Sequence, residues 1–174
     1  MKNLVKFFIL LIFVSCSAFA AEYLYILDDK CIRDLFFEAE KHFLNTAVEP
    51  IKDSRGLILR YLFDDPLQEY LIPNTEVYKK IENFLAKMEN PVIIEVHTGE
   101  FPNGELANIK KWEFSTIMAN AVEVIISEPA GVIERDRINS IGYGEFLPAK
   151  NTSNNGGKNT NRIDIIILCN IIGE

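Results

Sequence analysis

The sequence predicts an α+β domain in which two helices pack on one face of a mixed β-sheet. This prediction follows from the order of its patterned segments, which runs strand, helix, strand, helix, strand, strand. Each helix lies between two strands, so two consecutive βαβ crossovers are expected, and these place both helices on the same side of the sheet. The chain has 174 residues, of which 48% are hydrophobic, which is enough for one domain with a substantial core.

Residues 1–20 have the layout of a secretory signal peptide. Two lysines precede an apolar run over residues 7–14, and Ala18 and Ala20 form an A-x-A site, after which we expect cleavage. The apolar run is short for a membrane span, which needs about 20 residues, but an uncleaved anchor stays open as an alternative. Lipidation at Cys16 is a further alternative, although the residues before it fit a lipoprotein signal poorly. The sequence therefore predicts an exported protein.

The remaining chain is acidic and contains two cysteines. Removal of Lys2 and Lys6 with the signal peptide lowers the formal charge from -7 to about -9, and no basic patch is present, so nucleic acid is not an expected partner. Export to an oxidising compartment permits a disulfide between Cys31 and Cys169. Two separate buried thiols are the alternative, because the sequence gives no Cα separation for the pair.

Residues 21–54 are predicted to form a lead-in segment with one amphipathic helix, which packs on the domain or on a partner. Its helical face consists of apolar residues at helical spacing: Ile32, Leu35, Phe36, Ala39 and Phe43. The domain itself is predicted at 55–172. Its first strand, RGLILRYLF at 55–63, has β-branched and aromatic residues after a glycine. A connection with two prolines, DDPLQEYLIPN, follows.

The next two elements are the most strongly patterned in the chain. A helix is predicted at 74–90, where Asn74 or Thr75 can cap its start and Asn90-Pro91 ends it. One continuous apolar stripe runs along this helix: Val77, Ile81, Phe84, Leu85 and Met88. The segment VIIEV at 92–96 then predicts a largely buried strand.

The second half of the domain follows a polar loop, TGEFPNG. A long helix is predicted at 105–127, and Pro129 to Gly131 ends it. The segment RINSIGYGE at 137–145 predicts a third strand, and an Asn/Gly-rich loop separates it from a closing hydrophobic strand at 162–172.

Four motifs in this order resemble those of the OmpA C-terminal-like domain family. RINSIGYGEFLPAKN is similar to the family signature, an Arg-Ile followed by Gly-Tyr-Gly-Glu, a proline and an asparagine. Asn161 and Arg162 before IDIII match the Asn-Arg that normally precedes the closing strand, and EVHTG looks like the family's strand ending in Gly-His-Thr-Asp. The first strand also looks like that of the family. The resemblance covers residues 55–172 and implies a bacterial protein of the periplasm or outer membrane.

The resemblance also implies a domain that binds peptidoglycan non-covalently. In the usual site, an Asp after His-Thr pairs with the ammonium group of diaminopimelate in the peptide stem, and an Arg on the second helix pairs with its carboxylate. This sequence departs from that pattern at both charges. Gly99, and not an Asp, follows His97 and Thr98. In the helix motif KWEFSTIMANAV, Lys111 stands for the family's Asn and Met118 replaces the Arg. The remaining motif positions match the family: Phe114, Ser115, Ala119 and Val122.

Two interpretations of the site follow, and seven residues are candidates to line its groove. In the first interpretation, the site is degenerate and the fold serves as a structural or interaction module with an envelope protein partner. In the second, substitute residues still bind the peptide stem. As substitutes, Glu100 would replace the Asp, and Lys111 or Arg162 would bind the carboxylate. The candidate groove residues are Thr98, Gly99, Glu100, Lys111, Ser115, Met118 and Arg162. No nucleophile motif or metal-ligand spacing accompanies His97, so neither enzymatic activity nor a cofactor is expected.

Overall fold

The computed structural model describes residues 29–99, 110–127, 133–146 and 161–169. The predicted signal peptide and Glu100 lie outside these ranges. Within them, no helix is long and apolar enough to cross a membrane. The described elements are, in chain order, α1 (Lys30–His42), β1 (Val48–Asp53), β2 (Gly56–Leu62), α2 (Pro66–Leu71), α3 (Thr75–Leu85), β3 (Val92–His97), α4 (Lys111–Ser127), a 3₁₀ turn (Arg135–Arg137), β4 (Ile138–Gly144) and β5 (Arg162–Leu168).

The strands form one mixed sheet in the order β1-β2-β5-β3-β4. β3 and β4 pair in parallel, as expected for strands joined through a helical crossover, and the other neighbours pair antiparallel. β5 therefore lies between β2 and β3, although it is the last described strand in the chain. The predicted α+β class with a mixed sheet is confirmed.

The hydrophobic core lies on one face of this sheet. Alternate residues of β2, β3 and β5, such as Leu59, Ile94 and Ile165, point into it, because successive side chains of a strand face opposite sides. Helices α1, α3 and α4 cover this face and contribute side chains such as Ile81 and Met118 to the same cluster. The prediction that the two crossover helices pack on one face of the sheet is confirmed.

Besides the 3₁₀ turn, two described elements have no counterpart among the predicted ones. β1 forms a hairpin with β2 within residues that we assigned to the lead-in segment. The sequence did not predict β1, because its apolar and polar residues do not alternate and because it contains Pro50. Proline is tolerated in a sheet only at an edge strand such as this one. α2 forms within the predicted connection, where the Asp65 carboxylate accepts hydrogen bonds from the backbone N–H groups of Leu67 and Gln68. The limits of the segments at 1–20, 21–54 and 55–172 stay predictions.

The second crossover helix starts later than the predicted residue 105. Lys110 precedes α4, and its backbone N–H donates to the Glu113 carboxylate over 3.3 Å while its carbonyl accepts from the N–H of Phe114. Lys110 thus stands at the cap of the helix, where a Glu three residues on reaches back to the cap N–H. Helix α4 therefore begins at Lys111.

A disulfide joins Cys31 of α1 to Cys169 at the end of β5, with a Cα–Cα distance of 5.7 Å. Of the two alternatives that the sequence left open for these cysteines, the structure has the covalent one. The bond ties the start of the lead-in helix to the central strand of the sheet.

Candidate functional site

The exit of β3 is fastened to β4 and α4 through Thr98. Its backbone N–H donates to the carbonyl of Gly144 over 3.0 Å, and its hydroxyl donates to the carbonyl of Lys111 over 3.1 Å. Thr98 is fully buried. Its side chain therefore stabilises the junction between the strand end and the start of the helix, and presents no surface to a ligand.

Gly99 is held by Asn161, the residue before β5. The Gly99 N–H donates to the Asn161 side-chain carbonyl over 2.8 Å, and the Asn161 amide donates to the carbonyl of Asp64 over 3.1 Å. The backbone carbonyl of Asn161 also accepts from the N–H of Phe63. This buried asparagine thus joins the ends of β2 and β3 to the start of β5. The sequence identified Asn161 only as part of the Asn-Arg motif. The one sequence feature that could have indicated this role is its side-chain amide, which both donates and accepts hydrogen bonds.

Ser115 and two glycines bring α4 close to β4. The Ser115 hydroxyl donates to the carbonyl of Trp112 over 2.9 Å and accepts from the N–H of Gly144 over 2.8 Å, and its side chain is fully buried. A Cβ atom added at Gly142 would lie 2.1 Å from the backbone nitrogen of Thr116. Only glycine allows this approach. The glycines of the Gly-Tyr-Gly motif therefore serve helix–strand packing.

Met118 and Lys111, which match the arginine and the asparagine of the family's helix motif, both have partners within the domain. The Met118 side chain is 1% exposed and belongs to the hydrophobic core. The Lys111 ammonium lies 2.6 Å from a carboxylate oxygen of Glu145, in the turn after β4. This pair is partly exposed, with 35% and 59% of the two side chains accessible. The described groove residues thus present no unpaired cation on α4.

Arg162 lies on the other face of the sheet. In β5 it alternates with Ile163, which points into the core, and its guanidinium Nε donates to Asp164 over 2.9 Å. Asp164 also accepts two hydrogen bonds from Arg60, at 2.7 and 2.8 Å. The structure therefore brings Thr98, Lys111 and Ser115 together around Gly144, and separates Arg162 from them.

Arg162 belongs to a polar cluster that the sequence did not predict and whose carboxylates and imidazole are buried. We define the β-face cluster as Glu95, His97 and Asp164 with their arginine partners Arg55, Arg60 and Arg162. His97 is 2% exposed, its Nε2 lies 3.7 Å from Glu95 and 4.0 Å from Asp164, and its ring stacks on Tyr143 with centroids 5.1 Å apart. The polar residues at alternate positions of β3 and β5 were the available signal.

The two carboxylates of the β-face cluster have lowered pKa values, which favours their ionised forms. Burial alone would raise the pKa of Asp164, but hydrogen bonds and charge from Arg60 and Arg162 outweigh it and lower that pKa. Burial is likewise overcome at Glu95, whose pKa is lowered by the nearby His97 ring and by the hydrogen bond that the Arg55 guanidinium donates over 2.8 Å.

Glu95, His97 and Asp164 have the side-chain types of a metal site, and their ligand atoms lie within 4.8 Å of one another. They fit a metal poorly, because Arg55 pairs with Glu95 and both Arg60 and Arg162 pair with Asp164, so the two carboxylates already have three positive partners. The cluster is an ion-pair network.

The fold is shared with solved domains of bacterial proteins. A MotB-like protein from Desulfovibrio vulgaris superposes with a TM-score of 0.67 and 17% identity, over 86% of this chain and 99% of that one. The cell wall anchor of the T6SS from Pseudomonas aeruginosa gives 0.60 and 15%, over 80% and 97%. The periplasmic domain of Helicobacter pylori MotB gives 0.59 and 14%, over 72% and 83%. No protein-family model and no curated protein sequence matches the chain.

These likenesses define the class of fold. At identities of 14–17% they show a common architecture and not a common site. The chain has the OmpA-like fold, as the resemblance of its motifs implied.

Proposed function

We propose that this protein is a non-enzymatic structural or interaction module of the bacterial cell envelope, with an OmpA-like fold whose usual peptidoglycan site is degenerate. The signal-like start supports export, and the likeness to a cell wall anchor and to periplasmic MotB domains supports a place in the periplasm or at the outer membrane. Function has to be argued from the site, because one fold supports many functions.

The observation that carries the proposal concerns the residues that stand at the two charged positions of the usual site. At the acid position, Gly99 has no side chain and its N–H is bound by Asn161. At the arginine position, Met118 is packed in the core. The cationic residue of α4, Lys111, is paired with Glu145. A zwitterionic ligand would find neither of its two counter-charges among these residues.

The expected loss of affinity is large. A hydrogen bond to a charged group contributes about 1.5–3 kcal/mol. Two such contacts together are therefore worth about 3–6 kcal/mol, and since each 1.4 kcal/mol is about tenfold in affinity, binding would weaken by roughly a hundredfold to ten-thousandfold.

Co-sedimentation with purified cell-wall sacculi at low salt tests the proposal. We expect the purified protein to stay in the supernatant. The variant Gly99→Asp restores the acidic charge at a half-exposed position, and we expect it to gain binding only in part, because the core position of Met118 cannot take an arginine without burying an unpaired charge. Its matched control is Gly99→Asn, which has similar size and no added charge. Sedimentation of the unmodified protein with sacculi would contradict the proposal.

The alternative function is a non-covalent peptidoglycan anchor that uses substitute residues. It is favoured by the exposure of the Lys111–Glu145 pair, because a solvated ion pair contributes only about 0–1 kcal/mol and can open at little cost. Lys111 would then bind the diaminopimelate carboxylate, and Glu100 would bind its ammonium. This function requires that the unmodified protein sediments with sacculi and that Lys111→Ala or Glu100→Ala reduces the bound fraction.

A further inference from the structure

A hollow lies between the outer sides of α1 and α3. Its volume is about 420 Å³, which falls within the about 300–1,000 Å³ that is typical of small-molecule sites. The described residues that line it come from the second half of α1, from the end of α3 and from the turn after α3. None of them is a candidate residue of the peptidoglycan groove. The hollow is therefore a separate place in the fold.

The floor of this hollow is apolar. It consists of Leu35, Phe84 and Met88. Phe84 is 2% exposed and belongs to the hydrophobic core, and the other two side chains are partly buried against that core. A ligand that covers such a floor displaces water from apolar surface, which is favourable. The floor therefore favours an apolar ligand group.

The α1 wall of the hollow is fixed near both of its ends. The disulfide of Cys31 ties the start of α1 to the end of β5. At the other end, Nε2 of His42 donates to the carbonyl of Lys80 over 2.9 Å, and the ring centroids of Phe43 and Phe84 lie 5.3 Å apart. The hollow is therefore preformed, so a ligand does not have to order its walls.

The rim of the hollow carries more positive than negative charge. Lys41 and Lys87 contribute two ammonium groups, and Glu38 contributes one carboxylate. The Glu38 carboxylate is paired with Lys41 at 3.4 Å, whereas the exposed Lys87 has no acidic partner among the residues that the structure describes. The chain as a whole has a formal charge of -7. A basic rim on an acidic protein favours a ligand with a negative charge.

We propose that this hollow binds an anionic amphiphile, namely a medium-length alkyl chain that ends in a carboxylate. The alkyl chain lies on the apolar floor, and the carboxylate pairs with the ammonium group of Lys87. From Leu35 to His42, α1 rises by about 10 Å, at about 1.5 Å per residue, so the hollow accommodates a short chain. This inference goes beyond the proposed function, because it concerns another ligand and another part of the fold.

Isothermal titration calorimetry of the purified, oxidised protein with octanoate, below the concentration at which octanoate forms micelles, tests the site. We expect saturable binding that tightens about tenfold for each two methylene groups added from hexanoate to decanoate. Octylammonium has the same alkyl chain and the opposite charge, and should bind severalfold more weakly. No saturable binding of octanoate, or equal binding of octanoate and octylammonium, overturns the proposal.

Two substitutions separate the contributions of the charge and the alkyl chain. Lys87→Gln should weaken octanoate binding severalfold and reduce the difference between octanoate and octylammonium. Met88→Gln, which keeps the size of the side chain but makes it polar, should weaken the binding of both ligands. The matched control is Lys110→Gln, an exposed lysine beside α4 that does not line the hollow, and it should leave binding unchanged. Thermal melts of each variant check that the fold is kept. Octanoate binding that neither Lys87→Gln nor Met88→Gln weakens, with the fold intact, overturns the assignment to this hollow.

Discussion

The disulfide between Cys31 and Cys169 makes the most direct prediction about stability. It joins residues separated by 138 positions. In the unfolded state it therefore closes a loop of that length and reduces the conformational freedom of the chain within the loop. The loop-entropy relation for a loop of this length gives a stabilisation of about 5 kcal/mol at 25 °C. Since domains are stable by about 5–15 kcal/mol in total, the bond is a large part of the free energy of unfolding.

The perturbation is the double variant Cys31→Ser with Cys169→Ser. We expect the folded state to survive in it, because α1 also packs on the core through Ala39 and Phe43. We expect the free energy of unfolding to fall by about 2–5 kcal/mol, since measured effects reach the entropic value only in part. Guanidinium unfolding followed by circular dichroism measures the change. A reductant should shift the unmodified protein by the same amount and leave the serine variant unchanged.

Two results would refute the reasoning. One is an unfolding midpoint of the serine variant equal to that of the oxidised protein. The other is rapid labelling of Cys31 and Cys169 by a thiol reagent in the folded, unreduced protein, which would show that the bond does not form.

Three further predictions concern single residues. Asp164→Asn removes the carboxylate that pairs with the buried Arg162 and the partly exposed Arg60, and should cost about 3–5 kcal/mol of stability. Because the folded pKa of Asp164 lies below its ordinary value of about 3.9, its contribution is present above that pH and lost as the pH falls further, so acid unfolding curves should show a smaller pH dependence in the variant. Gly142→Ala places a Cβ against the backbone of α4 and should cost about 1–3 kcal/mol in urea unfolding, while Ala at exposed Asn139 of the same strand has little effect. Met118→Ala should cost about 2–5 kcal/mol if Met118 fills the core as described, and a near-neutral result in thermal melts would place it at a surface instead.

Much of the fold could be predicted because its main elements have strong periodic patterns. The stripe from Val77 to Leu85 defines α3, and its predicted cap is present, with the Asn74 side chain accepting from the N–H of Val77. β1 could not be predicted, because an edge strand containing Pro50 gains its stability from pairing with β2 and not from its own pattern.

The candidate site shows the same division. Through its resemblance to the family, the sequence alone predicts that both charges of the usual site are missing, because Gly99 and Met118 stand at the matching positions. Whether another residue replaces them depends on contacts between distant segments, and these arise only when the chain folds. Only the tertiary structure showed that Asn161 binds Gly99, that Glu145 pairs with Lys111 and that Arg162 belongs to the opposite face of the sheet. Hydrogen bonds and ion pairs act over a few ångströms, so partners far apart in the chain become visible only in three dimensions.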